Sequence, residues 1–230
     1  MTREIGMMEL DLIFNSLPEL LKGAGVTLVL SVVALIMGAL LALPITPMRI
    51  AGGIVLKPIA RIIITVVRGT PLLVQLYLVY YGLPHIGLVF DNYTVGFIVL
   101  SLYMGAYLAE ILRGAIEAID PDQTESAYSL GLSYWQAMRV VIIPQAIRLT
   151  IPPGSNQFIT MLKESSLVSQ IAIVELTLAT VRIISFEFRP VELFIMAAII
   201  YLAITTGFVV VFTWLEKKFS IPGLELKKVS

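Results

Sequence analysis

The chain has 230 residues, of which 58% are hydrophobic and only 14% charged, with equal numbers of acidic and basic side chains. That balance excludes an ordinary soluble domain, and the zero net charge says nothing by itself about partners. There is no cysteine and a single histidine, His85, which excludes disulfides, thiolate chemistry and histidine metal sites.

The N-terminus, MTREIGMMELDLIFNS, carries too much acid and too short an apolar run for a secretory signal, so an uncleaved chain is expected. Leu10, Ile13, Phe14, Leu17, Leu20 and Leu21 then fall at helical spacing beside Glu9, Asp11 and Glu19. This pattern predicts a short amphipathic helix at the membrane interface. Crossing a hydrocarbon core of ~30 Å takes roughly 20 apolar residues. Residues 23–48 are uncharged throughout and form the first predicted span. The second covers about 54–81, with a kink expected at Arg68-Gly69-Thr70-Pro71. The third covers 93–116, the fourth 149–181 and the fifth the uncharged run 193–215. Five spans within one domain, residues 1–230, make an all-α integral membrane fold.

Loop charge orients the spans. Arg49, Lys57, Arg61, Arg113, Arg139, Arg148, Lys217, Lys218, Lys227 and Lys228 fall on one side, against Arg3, Lys22, Arg182 and Arg189 on the other. The C-terminus and the loop after the third span are therefore expected in the cytoplasm, and the N-terminus outside. The aromatic residues Tyr77, Tyr80, Tyr81 and Trp214 suit the membrane interface and need no ligand; His85 falls in the external loop.

The cytoplasmic segment 120–144 divides into two helices. Asp120-Pro121-Asp122-Gln123 has a capping acceptor, a first-turn proline and a glutamine at the third position. Helix one ends at Gly131, suited to a left-handed cap. Ser133 to Gln136 repeats the capping spacing and starts helix two, which is expected to end before Pro144. Ala127, Tyr128, Leu130 and Leu132 make this loop an apolar helical knob, either inserted into a partner's groove or packed against the chain's own spans.

Glu125-Ser126-Ala127, then Gly131 and Ile143-Pro144, resembles the EAA motif of ABC importer membrane subunits. RGTPLLVQLYLVYYGLP from Arg68, AYLAEILRGAIEAID from Ala106, PQAIRLTIPP from Pro144 and LKESSLVSQI from Leu162 resemble the polar amino-acid permeases in particular. Ser126 stands where the motif has its first alanine, and Asp122 where the family often has glycine. The resemblance implies a type I ABC importer permease fold in a bacterial inner membrane. It implies three kinds of protein partner: a cytoplasmic ATPase dimer, a second permease subunit (a copy or a homologue) and an extracytoplasmic amino-acid-binding protein. The coupling role would fall on Glu125, Ala127, Tyr128, Leu130, Gly131 and Leu132. The chain has no GxxxxGK[ST] phosphate loop, so ATP and Mg would be bound by the partner and this chain would carry no cofactor, no metal and no catalytic residue. No nucleic acid is expected as a partner.

Thr160 to Gln170 places charge within the fourth span. Glu164 lies ~21 Å along a helix starting near Thr150, a depth at which a carboxylate faces a polar cavity or a partner. Asn156, Thr160 and Glu164 share one stripe. Either they make interhelical bonds, with Glu164 paired to a base such as Arg68, or they line a path for the solute. On the second reading Glu164, Thr160, Asn156, Arg68 and Gln75 are the pathway residues, and a carboxylate there favours arginine, lysine or histidine. Arg68 either binds a substrate carboxylate or anchors its helix through an ion pair. Glu110 and Arg113 read as a structural pair. A secondary transporter or channel fits the buried charge but leaves the capped loop unexplained; an intramembrane enzyme lacks candidate groups.

Overall fold

A computed structural model describes residues 2–219, with side chains from residue 12 onward. Most of these residues are helical, and none of them forms a strand. In chain order the helices are α1 (Thr2–Ala51), α2 (Gly53–Gly69), α3 (Leu72–Gly82), α4 (Asn92–Glu117), α5 (Pro121–Ser129), α6 (Tyr134–Ala137), α7 (Ile143–Glu164), α8 (Leu176–Glu187) and α9 (Pro190–Phe219). Three are long and apolar enough to cross a membrane: the Leu12–Ala51 part of α1, α4 and α9. Two bent pairs complete the five spans, α2 with α3 and the α6–α7 rod with α8.

The amphipathic helix expected before the first span is present as helix but not as a separate element. It is the first part of α1, which passes Pro18 and Gly23 without a break. The reason is packing. Leu12, Ser16 and Leu20 are buried, and a Cβ on Gly23 would stand 2.9 Å from Ala179 Cβ, so this end of α1 lies tightly on the start of α8.

α4 is the centre of the bundle. Its start is capped by Asp91, whose carboxylate accepts from the Thr94 amide and hydroxyl at 3.0 and 2.6 Å. Val99, Leu100, Met104 and Ala109 on α4 pack with Leu30, Ala34 and Ala42 on α1 and with Phe158, Met161 and Leu162 on α7. Small residues set the spacing. A Cβ on Gly38 would stand 2.7 Å from Met104 Cβ and 2.9 Å from Gly105 N, so the two backbones meet where only hydrogen fits. Thr46 donates to the Ala109 carbonyl further along the same seam.

The second span does not merely kink. α2 and α3 meet at 106° across Thr70-Pro71, where proline removes a helical donor and forces extended backbone before it. Gln75 repairs the break: its amide donates to the carbonyls of Val67 and Thr70 at 2.7 and 3.0 Å and to the Thr70 hydroxyl.

The fourth span also differs from expectation. Helix two does not end before Pro144. α6 runs through a wide turn of five residues, Met138–Ile142, into α7, and the wide turn places the proline in the first turn of α7, where no helical donor is required. α7 tightens to a 3₁₀ segment at Ser165–Ile171, and the chain bends by 51° before α8. Glu175 caps α8, accepting from the amides of Thr177 and Leu178, each at 2.9 Å.

Candidate functional site

Two places gather the residues singled out from sequence, an exposed helical knob and a polar column running from the half-buried Glu164 to the exposed Arg68. The knob is α5, the turn at Gly131 and α6. Asp120 accepts from the Asp122 amide at 3.0 Å and starts α5 at Pro121. At the other end the Leu132 amide donates to the Ala127 carbonyl and the Gly131 amide to that of Tyr128, the paired bonds of a Schellman cap. Gly131 supplies the required positive φ of 80°. The Ser133 amide then donates to Gln136 Oε1 at 2.9 Å, opening α6.

Burial divides the expected knob residues. Ala127 is buried and Leu132 half-buried, so these two are turned away from solvent where α5 packs on α6 and the wide turn after it. Tyr128 is exposed and Leu130 is 83% exposed; they form the apolar tip, with Glu125 exposed beside them in a shallow depression shared with Asp122, Ser126 and Ser129. Trp135, 74% exposed, adds apolar surface on α6. Underneath, Ile142 and Ala146 pack against Ala115 and Ile119 at the end of α4, so the knob stands on rigid helices.

The polar column starts at Glu164. Its Oε2 is buried without a hydrogen-bond partner, and no ion pair forms with Arg68. The Tyr103 hydroxyl is set against Glu164 and Tyr107. The Tyr103 and Tyr107 rings lie 4.7 Å apart, and the Arg68 guanidinium sits 4.9 Å above the Tyr107 ring. Glu164 and Arg68, expected from sequence either as an ion pair or as separate pathway residues, are instead joined by two tyrosines that sequence reasoning passed over. Their (i, i+4) spacing on α4, aimed at the charged side chains of α2 and α7, was the available signal.

The remaining candidates are placed differently. Asn156 and Thr160 are exposed along the α7 stripe, and Thr160 donates to the Asn156 carbonyl. Gln157, one residue round the helix, has a buried Nε2 with no partner. Gln75 spends its amide on the α2–α3 break. Glu110 and Arg113 do pair, at 3.0 Å, and Arg113 also bonds Glu117.

The geometry has counterparts among known proteins. Residues 34–221 match the family model described as binding-protein-dependent transport system inner membrane component. The chain is 39% identical over 222 residues to the probable amino-acid ABC transporter permease protein YckA of Bacillus subtilis (strain 168), covering 94% of this chain and 98% of that protein. It is 36% identical over 211 residues to the glutamine transport system permease protein GlnP of Escherichia coli (strain K12), covering 91% and 96%. Among solved structures, a crystal structure of an amino acid ABC transporter with histidines superposes with a TM-score of 0.86 at 40% identity, over 90% of this chain and 96% of that one. An inward-facing MetNI methionine ABC transporter shares the fold at a TM-score of 0.75 and 15% identity, over 88% and 97%. This chain belongs to the family of binding-protein-dependent transport system inner membrane components.

Proposed function

We propose that this chain is the translocation subunit of an ATP-driven importer of polar amino acids, with a preference for arginine, lysine and histidine. The observation that carries the preference is the unpartnered, buried Oε2 of Glu164 at one end of a tyrosine pair whose other end holds Arg68. A zwitterionic solute with a cationic side chain complements that arrangement: its cationic group faces Glu164 and its carboxylate meets the planar fork of Arg68. In the low dielectric between helices, a carboxylate without an ion-pair partner among the described residues discriminates strongly by charge. Asn156 and Thr160 extend the same stripe along the path.

The exposed tip of Tyr128 and Leu130 supports docking of a separate ATPase, which binds ATP and Mg and does the hydrolysis. The loop charge supports a cytoplasmic knob and C-terminus, with the N-terminus outside. A second permease subunit completes the path, and an extracytoplasmic binding protein delivers the solute.

The test is uptake by the complex of this chain with its ATPase and binding protein in proteoliposomes. Arginine or histidine uptake that loses tenfold or more of its apparent affinity in Glu164→Gln, with glutamate a poor substrate of the wild type, is the expected result. Efficient glutamate uptake with no response to arginine, or unchanged arginine affinity in Glu164→Gln, overturns the preference.

A further inference from the structure

The column from Glu164 to Arg68 leaves other charge unaccounted for. A cavity of about 120 Å³ opens between the end of α1, the middle of α2 and α4, with walls formed by Arg49, Arg61, Ile64, Thr65, Arg68 and Glu110. Arg113 stands beside it and bonds both Glu110 and Glu117. Four guanidinium groups therefore gather around two carboxylates; Arg113 holds Glu117 and Oε1 of Glu110, whose Oε2 is buried without a hydrogen-bond partner. Among the described residues, no carboxylate forms an ion pair with Arg49, Arg61 or Arg68.

A guanidinium cannot shed its proton to relieve such crowding. Arg61 and Arg68 are exposed on this chain and open to a solute or lipid oxyanion, and the fork geometry of arginine matches the two oxygens of a carboxylate or phosphate. Arg61 and Arg68 are seven residues apart on α2, two turns on one face and ~10 Å along the axis. Arg68 thus belongs both to the tyrosine pair and to the cavity wall.

We infer that Arg49 and Arg61, with Arg68 shared, form a second oxyanion seat on the cytoplasmic side of the pathway, which takes the carboxylate of the departing amino acid. This rests on the proposed function and its orientation. A solute whose carboxylate moves from Arg68 to Arg61 keeps a guanidinium partner while its cationic end leaves Glu164. The seat therefore governs exit and not loading. An anionic lipid headgroup offers the same oxyanion chemistry, and the experiment separates the two sources.

The full complex is reconstituted with the ATPase side accessible, and arginine or histidine is added there as an inhibitor of uptake. Their decarboxylated counterparts, agmatine and histamine, are compared at equal concentration. The expected result is inhibition by arginine and histidine at least tenfold stronger than by agmatine and histamine. Arg61→Gln and Arg49→Gln should erase that difference and lower the maximal uptake rate severalfold with little change in apparent KM, whereas Arg61→Lys keeps most of both. Repeating the assay in phosphatidylcholine with and without phosphatidylglycerol assigns the source: arginine inhibition that is present in pure phosphatidylcholine and lost when phosphatidylglycerol is added assigns the seat to lipid phosphate and overturns the exit role. Glutamine variants that match the wild type towards all four probes in both lipids overturn the seat. A wild-type complex that takes up no amino acid instead overturns the proposed function, and the seat with it.

Discussion

The Tyr201 hydroxyl donates to Oε2 of Glu175 at 2.8 Å, bringing α9 onto the cap of α8. Glu175 is fully buried and has no basic partner among the described residues; its other bonds come from the amides of Thr177 and Leu178, with the Thr27 hydroxyl 3.5 Å away. One carboxylate thus joins α1, α8 and α9 at the bend of the fourth span. Tyr201→Phe leaves that acceptor short of a donor, and a loss of about 1–3 kcal/mol is expected. Thermal melting of the purified protein measures it, and a melting temperature equal to wild type would refute the role.

The Gly38–Gly105 approach predicts a second effect. Gly38→Leu forces side-chain atoms into the Met104 backbone region, and overpacking of this kind costs typically ~1–3 kcal/mol or more. Gly25→Leu, at a position with open space around its Cβ, serves as the control. A lower melting temperature is expected for the first and little change for the second.

At the knob, two variants probe different things. Leu130→Asp keeps the backbone and removes the apolar tip; ATPase binding should fall more than tenfold while insertion is normal. Gly131→Trp places a side chain at φ 80°, with a cost of roughly 1–2 kcal/mol in local conformation, and should disturb the angle between α5 and α6. Glu125→Arg reverses the charge beside the tip and should uncouple uptake. Co-purification of the ATPase with each variant, together with uptake, reads all three. Wild-type binding and uptake throughout would remove the docking assignment.

Asp91 gives a dependence on pH. The Thr94 hydroxyl and then its amide hold this carboxyl below its ordinary value of 3.8. A depressed carboxyl stabilises the fold in its ionised form, so its contribution is present above the ordinary value and disappears as pH falls through the lowered one. Asp91→Ala should therefore narrow its difference in melting temperature from wild type as pH drops below about 4. A difference that stays constant into acid would show that the cap bonds do not depend on ionisation.

The parts that could be read from sequence were those with local causes. Asp120, Gly131 and Ser133 announce their caps because each bond closes within a few residues, and Thr70-Pro71 announces a break because proline acts on its own turn. What escaped has causes at a distance. Pro144 was expected to end helix two, but the wide turn that accommodates it depends on Ile142 and Ala146 packing against α4. The role of Glu175 as a cap could not be read locally, since its partners Thr27 and Tyr201 lie 148 and 26 residues away and glutamate is not a favoured cap. Gln75 has polar chemistry suited to a pathway, yet the severity of the break beside it determines its use.

The continuity from Tyr134 to Glu164 makes these residues one rod of roughly 46 Å at the helical rise. Trp135 rides near one end and Glu164 stands at the other. A rotation of ~5° about the midpoint carries both ends by about 2 Å in opposite directions, which is enough to make or break a hydrogen bond. If an ATPase docks on the knob as proposed, a stroke pivoting there reaches Glu164 with its sense reversed. No loop intervenes between Tyr134 and Glu164, so on the proposed function the pathway carboxylate moves with the knob.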